Sequence, residues 1–370
     1  MTHLDRADFL THLTSELVAS GTPREFNNID RARFDHSAKT VFKEKVLGLA
    51  SSLGFYRAAV ISHEHLRDIL KTDGLDEVYG LFQDQLSRDL FVRLLAYRIL
   101  GHRHVRLPLN NEKYWQVRRS VDKYAENRGT VTGVPILGSL DLFNFNGIRL
   151  HAHPLNILNT FLLEQYRCAR GGIGVRRDDV VIDAGGCWGD TALYFAYEVG
   201  ETGQVYSVEF INSNLKIMEK NLQLNNALRK RIKIVERPLW SKPDVALYFK
   251  DRGPSSRGAL EVANGDEESV RHTTTTIDAM VEQNQLSKVD FIKMDVESAE
   301  PEALRGAEKT IRQFRPKLAI SVYHSVSDFV DVFEFVSSLN LGYKFYLGHY
   351  TMHWHETVLF AVSDGVSREF

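Results

Sequence analysis

Asp295, Glu297 and Glu300 stand close together, directly after the apolar run Val289-Asp290-Phe291-Ile292-Lys293-Met294. Carboxylates this near repel when ionised, so one is pushed to a higher pKa and becomes a candidate general base. Their oxygens also suit Mg²⁺, with Asp295 and Glu297 as the pair to hold it. Glu297 and Glu300 equally suit a helix N-terminus, where acids complement the dipole. His324 ends the next apolar run, 317–323, and titrates near neutral pH. It is either a second candidate base or a strand-end histidine bonded locally. Lys293 is given no role.

A second constellation lies upstream. Val180-Val181-Ile182-Asp183-Ala184-Gly185-Gly186-Cys187-Trp188-Gly189-Asp190 is an apolar run ending in an acid, then a glycine-rich turn. An amphipathic run, Thr191 to Val199, follows. That is the grammar of a strand, a tight loop and a helix N-terminus. Gly185, Gly186 and Gly189 do not make G-x-G-x-x-G, and the acid before them suits an ammonium better than a pyrophosphate. About twenty residues on, Val205-Tyr206-Ser207-Val208-Glu209 repeats the pattern, and a carboxylate there can accept both hydroxyls of a ribose. Arg237 and Pro238 follow a third strand, Ile232–Val235, where an adenine ring is commonly held. Near the C-terminus His349, Tyr350, His353, Trp354, His355 and Glu356 cluster in one link. Aromatic faces suit sugar rings and polar tips suit hydroxyls, so these residues are candidates for an acceptor pocket.

The elements that must position these groups read as α/β. From about residue 178 strands alternate with helices, and the last two strands, 343–347 and 357–362, are linked closely enough to pair antiparallel. The expectation is a doubly wound, mostly parallel sheet with helices on both faces and an antiparallel last strand. Ligands of such sheets bind at the carboxyl ends of the strands, where Asp183, Glu209, Asp295 and His324 fall. Before this unit, Leu140–Leu150 reads as a hairpin turning at Asn146-Gly147, and Ile157 to Tyr166 as a helix whose Phe161, Gln165 and Tyr166 can close over the ligand. His151 and His153, two apart on a strand, point the same way, either as a pair of metal ligands or, the preferred reading, as polar residues at a strand end. Residues 1–106 read as amphipathic helices, with Phe9, Leu10, Leu13 and Leu17 in one stripe and Val41, Val46, Leu47 and Leu49 in another. They suggest a helical N-terminal domain, serving as a cap or in a homodimer. Residues 107–156 suggest a β-rich linking region.

Composition sets bounds. The chain has 370 residues and a formal net charge of -2, which favours neither nucleic acid nor an anionic membrane as a partner. No apolar run approaches the roughly 18 residues of a membrane span. The two cysteines, Cys168 and Cys187, have no metal-type spacing, and with no export signal the expected location is the cytoplasm.

From about 157 to 362 the chain resembles the FkbM-type methyltransferases. The likeness lies in Asp183-Ala-Gly-Gly-Cys-Trp-Gly-Asp190-Thr191, Val208-Glu209-Phe210 with Asn214, Thr276-Ile277-Asp278, Ile292–Glu300, Arg315–His324 and Glu356–Ala361. The family usually has Gly where Ser298 stands and often Pro where Phe210 stands. The resemblance implies a Rossmann-like methyltransferase domain over 157–370, S-adenosylmethionine as cofactor, and O-methyl transfer to a hydroxyl of a natural product or a sugar of a glycan precursor. It implies cofactor contacts from Asp183, Gly185, Gly189, Asp190, Thr191, Glu209, Phe210, Asn214, Arg237, Pro238 and Asp295. On this reading His324 or Glu297 is the base and Asp295 the orienter. Tyr323, His349, Tyr350, His355 and Glu356 face the acceptor. Two rival readings share the fold: a nucleotide-dependent oxidoreductase, and a non-catalytic assembly protein with a relic cofactor site.

Overall fold

The computed structural model describes residues 3–20, 67–69, 71–102, 104–126, 129–135, 137–260 and 268–363. The second stripe expected in the N-terminal helices, Val41 to Leu49, lies outside the described residues.

Seven strands form the central sheet: β4 (Val180–Ala184), β5 (Gln204–Val208), β6 (Ile232–Val235), β10 (Phe291–Met294), β11 (Lys317–Ser321), β12 (Tyr343–His349) and β13 (Thr357–Ser363). Their order is β12-β13-β11-β10-β4-β5-β6. The five strands from β11 to β6 are parallel, while β13 runs antiparallel to both of its neighbours. The order steps outward both ways from β4 and β10, so the chain reverses its direction of travel there. A crevice opens at the carboxyl ends of these two strands.

Strand alternation sends side chains to two cores. Ile182, Val208, Ile292, Met294 and Ile320 meet helices α9 (Ile277–Gln283), α10 (Glu300–Arg305), α11 (Glu308–Phe314) and α12 (Ser327–Ser338) on one face. Val181, Val205, Phe291 and Ala319 meet α6 (Asp190–Glu198) and α7 (Asn212–Gln223) on the other.

The N-terminal helices α1 (His3–Ala19), α2 (Leu75–Leu81) and α3 (Gln85–Leu100) bury their apolar faces in the first of these cores. Phe82 and Phe91 pack edge-on against Phe333 and Phe329 of α12, at 5.1 and 5.2 Å between ring centroids. Phe82 also bridges Phe345 at the sheet edge. At the end of α3, the Arg98 guanidinium donates to the carbonyl of Tyr323, at 2.7 Å.

After α4 (Glu112–Ser120), strands β1 (Val131–Val134), β2 (Gly138–Phe145) and β3 (Ile148–Ala152) form an antiparallel sheet. Asn146 and Gly147 both take positive φ at its hairpin, the geometry a two-residue turn of this hand requires. Asn221 of α7 clips β3 in place. Its side chain bonds the His151 N–H and C=O, and also donates to the Trp188 carbonyl in the glycine loop. The segment expected as a regular helix to Tyr166 is different. A short turn, α5 (Pro154–Asn156), runs into a π-helix over Ile157–Leu162. Asn156 and Thr160 both donate to the Asp190 carboxylate, at 3.0 and 3.1 Å, which fixes that segment against α6. Between β6 and α9, strands β7 (Ala246–Phe249), β8 (Gly258–Ala259) and β9 (Val270–Thr273) add a small antiparallel sheet.

Candidate active site

The glycine loop after β4 is shaped by what surrounds it. Gly185 has φ of +88°, and a Cβ there would lie 1.9 Å from the Asp295 carbonyl oxygen. The loop therefore passes the end of β10 at a distance that only glycine allows. Two cavities meet at this crossing, with empty volumes of about 960 and 1040 Å³. Gly185, Cys187, Pro254, Asp295 and Glu297 line both.

The first cavity lies over the end of β5. Glu209 is 6% exposed there. Its carboxylate accepts the Phe210 and Ile211 N–H groups at 2.7 and 2.8 Å and the Asn214 amide at 3.0 Å. Burial raises its pKa to about 7, against the opposing pull of these hydrogen bonds. Asn214 Oδ1 is buried and has no hydrogen-bond partner. A carboxylate and an orphan carbonyl side by side suit a ligand with two hydroxyl donors, as in a ribose. Phe210, Pro238, Leu239 and Trp240 supply an apolar lining beside them.

The second cavity is acidic. Asp190, Asp295, Glu297 and Glu356 line it, with Asn156, Thr160, Gln165, Tyr166, Trp188 and Tyr323 among their neighbours. Asp295 receives the Tyr166 hydroxyl at 3.2 Å and the Tyr323 hydroxyl at 3.1 Å. Gln165 donates to Glu356 at 2.8 Å. The Trp188 indole N–H is buried without a partner, a donor available to whatever enters. Burial raises the pKa of Asp295, with His324 and Lys293 pulling the other way. Asp190 is raised by burial as well, opposed by its bond from Asn156.

Several expected site residues stand elsewhere. Asp183 is fully buried and lines neither cavity. It accepts Thr191 and Ser207 hydroxyls and pairs with Lys293. Gly189 caps α6. Arg237 turns away from the cleft to Asp244 and the Thr273 and Thr274 carbonyls. His349 bonds Thr357, Tyr350 donates to the Arg167 carbonyl, and His355 stacks on Trp354, so of that link Glu356 is the residue that lines one of these two cavities. Tyr323 lines the acidic cavity, as expected. Lys293 is the residue that sequence reasoning left out. Residues two apart on a strand share a face, so Lys293 points the same way as Asp295, and it lines the acidic cavity.

His324 lies behind the cavities, its side chain 2% exposed. Burial pulls its pKa down, but Glu297, Glu300 and Asp295 outweigh that and hold it at about 9. An imidazole kept as a cation at neutral pH has no lone pair to take a proton. The expected role of general base therefore passes away from it.

Four backbone outliers gather at the same place: Cys187, Glu297, Ser298 and Glu356 all have φ between 47° and 80°. Ser298 has φ of 80°, a conformation that favours glycine.

The sheet order and the crevice define the class of an α/β methyltransferase fold. The structure is similar to the crystal structure of methyltransferase FkbM from Methylobacillus flagellatus KT, with 17% identity, 88% of this chain and 71% of that chain covered, and a TM-score of 0.51. Residues 173–345 match the family model of the methyltransferase FkbM domain. Over that region the chain is similar to the FkbM methyltransferase domain. Weaker similarity extends to Aeropyrum pernix fibrillarin with natively bound S-adenosyl-L-methionine (14% identity, 60% and 82% covered, TM-score 0.37) and to an O-methyltransferase from Bacillus cereus in complex with SAH (14%, 56% and 80%, 0.35). No curated protein matches the chain. No helix among the described residues is long and apolar enough to cross a membrane.

Proposed function

We propose that the chain is an S-adenosylmethionine-dependent methyltransferase acting on a hydroxyl of a sugar, a glycan precursor or a natural product. The observation that carries this reading is the pairing of Glu209 with the orphan Asn214 Oδ1 in a cleft that continues past Asp295 into a second, acidic cavity. Glu209 and Asn214 hold the ribose hydroxyls, and Phe210 and Trp240 border the base. S-adenosylmethionine supplies a methyl group already attached to a sulfonium leaving group. Asp190, Asp295, Glu297 and Glu356 provide the negative field that a sulfonium and an ammonium need. The one lysine lining the acidic cavity pairs with Asp183, and its charge and that of His324 offset part of this field.

The chain's own task is then to hold the acceptor oxygen about 3 Å from the methyl carbon, in line with sulfur, and to remove its proton. Asp295, steadied by two tyrosine hydroxyls, orients the acceptor. Glu297 lines both cavities and is the base, with His324 as a cation behind it, 3.7 Å away.

Calorimetric titration with S-adenosylhomocysteine tests the reading. We expect binding that Glu209→Ala weakens about tenfold or more, roughly 1.4 kcal/mol. Absence of binding to folded protein overturns it. Acceptors are then screened among sugar nucleotides and glycans by transfer of labelled methyl.

A further inference from the structure

We infer that Asp295, Glu300 and His324 form a divalent-cation site beneath the junction of the two cavities, suited to a first-row ion of the Mn²⁺ to Zn²⁺ series. One ligand atom from each of the three lies within 4.8 Å of the others. Asp295 comes from the end of β10, Glu300 from the first turn of α10 and His324 from the segment after β11, so three rigid elements converge on one point.

The separations inside the cluster are longer than hydrogen bonds, and the two carboxylates stand at different nitrogens of the ring. Asp295 Oδ1 is 3.7 Å from His324 Nε2, and Glu300 Oε1 is 3.4 Å from His324 Nδ1. Hydrogen bonds of this kind close at about 2.7–3.2 Å. Oxygen and nitrogen ligands each about 2.0–2.2 Å from one ion sit roughly 3–3.6 Å apart, so an ion takes one ring nitrogen of His324 and draws the carboxylates in by small side-chain movements. A second observation is independent of these distances. Both ring nitrogens of His324 and the Glu300 Oε2 atom are buried with no hydrogen-bond partner. Glu300 is 0% exposed and the His324 side chain 2%. Buried polar atoms are paired in the great majority of cases, and an ion would give one ring nitrogen of His324 and the Glu300 carboxylate the partner they lack.

The surroundings resemble a ligand shell. The Tyr166 and Tyr323 hydroxyls fix the Asp295 carboxylate, and the Val296 N–H fixes Glu300 Oε1 at 2.8 Å. Glu297 Oε2, 3.7 Å from His324 Nε2, offers a further oxygen. An ion taking a ring nitrogen displaces the proton held there. The donor set selects the ion. Two or three carboxylates with an imidazole suit Mn²⁺, Fe²⁺ or Zn²⁺, whereas Mg²⁺ prefers oxygen alone. This differs from the oxygen-only Asp295–Glu297 pair expected from sequence. Asp295 and Glu297 line both cavities, which gives the ion a route in. On the methyltransferase reading, an ion here would acidify an acceptor hydroxyl. The site itself does not depend on that reading.

The test uses the full chain, stripped with chelator and titrated with MnCl₂. Loss of the free-ion electron paramagnetic resonance signal reports binding, and electron-spin-echo modulation reports an imidazole nitrogen on the ion. We expect one Mn²⁺ per chain, ¹⁴N modulation in the wild type, and at least tenfold weaker binding in both His324→Gln and Glu300→Gln. Mg²⁺ should compete poorly. Glu209→Ala should bind Mn²⁺ as the wild type does, which separates this site from the cofactor cleft. No stoichiometric binding, no ¹⁴N modulation, or unchanged affinity in folded Glu300→Gln overturns the inference. If neither variant folds, the wild-type stoichiometry and modulation decide alone.

Discussion

Lys293 Nζ lies 3.2 Å from Asp183 Oδ1, with the two side chains 1% and 0% exposed. The two residues are direct partners in the register of β10 and β4, so the pair bridges the central strands one position before the cleft. Lys293 also donates to the Ala184 and Gly185 carbonyls, which ties it to the glycine loop. Burial pulls its pKa down, but the carboxylates of Asp183 and Asp295 outweigh that and raise it. Lys293→Met leaves Asp183 charged and uncompensated. We expect a loss of about 3–5 kcal/mol in urea denaturation. The double variant Lys293→Met with Asp183→Asn should recover part of it. Strict additivity of the two losses would show that the pair is not coupled.

Glu209 should make cofactor binding pH-dependent. Burial raises its folded pKa to about 7, so ligand-free protein near neutrality holds a mixture of acid and carboxylate. The raised pKa means that Glu209 favours the ligand-free fold fully below the ordinary carboxyl range. That contribution is lost as pH rises through about 7. A ribose diol donates to the ionised form. Affinity for S-adenosylhomocysteine should therefore fall below pH 7, toward tenfold per unit, and level off above it. Calorimetry across pH 5.5–8.5 checks this, with Glu209→Gln expected to be flat.

Part of this site is legible in the chain as written. Apolar runs that end in an acid mark the carboxyl ends of β4, β5 and β10, and Asn146-Gly147 marks its hairpin. What the acids do there depends on strand register, which one sequence does not carry. Asp183 looks like a ligand contact and is instead sealed by Lys293, because β10 happens to align Lys293 beside it. Arg237 follows the right strand but is drawn off by Asp244 and two carbonyls. In the last link, composition suggests a pocket of histidines. The fold buries His349 and His353 and brings Glu356 to the acidic cavity. The orphan atoms of Asn214 and Trp188 appear only once side chains are packed.

The N-terminal helices should not be separable from the α/β unit. Phe82, Phe91, Leu94 and Leu95 are essentially fully buried in the shared core. At about 1.5–3 kcal/mol each, these four contribute on the order of 6–12 kcal/mol. That is comparable with the whole stability of a typical domain, about 5–15 kcal/mol. A chain beginning at residue 107 should therefore be insoluble or molten, with strong dye binding and no cooperative melt. A cooperative melt near that of the full chain would show that residues 107–370 fold independently. A milder change, Arg98→Met, removes the donor to the Tyr323 carbonyl. It should cost about 1–3 kcal/mol.

Ser298→Gly should stabilise the protein. Ser298 has φ of 80° and follows Glu297 at 55°, two successive residues in a region that costs L-residues roughly 1–2 kcal/mol each. Glycine removes that cost at one position and adds about 0.5–1 kcal/mol of chain entropy in the unfolded state. The net expectation is a gain of about 0.5–1 kcal/mol, read as a higher melting temperature. Ser298→Val should lower it.

Gly185→Ala and Gly147→Ala separate backbone strain from collision. Both glycines have φ near +90°, so both substitutions incur the left-handed penalty of about 1 kcal/mol. Around Gly147 nothing lies within 4 Å of an added Cβ, whereas at Gly185 the Cβ would sit 1.9 Å from the Asp295 carbonyl. That oxygen is backbone at the end of a central strand and has no side-chain freedom with which to withdraw. Gly147→Ala should therefore melt slightly earlier and bind S-adenosylhomocysteine normally. Gly185→Ala should lose about 4 kcal/mol or more, and whatever fraction folds should have its loop pushed off β10, with ligand affinity lost along with it. Equal behaviour of the two variants would mean that the loop does not pass Asp295 as closely as the structure places it.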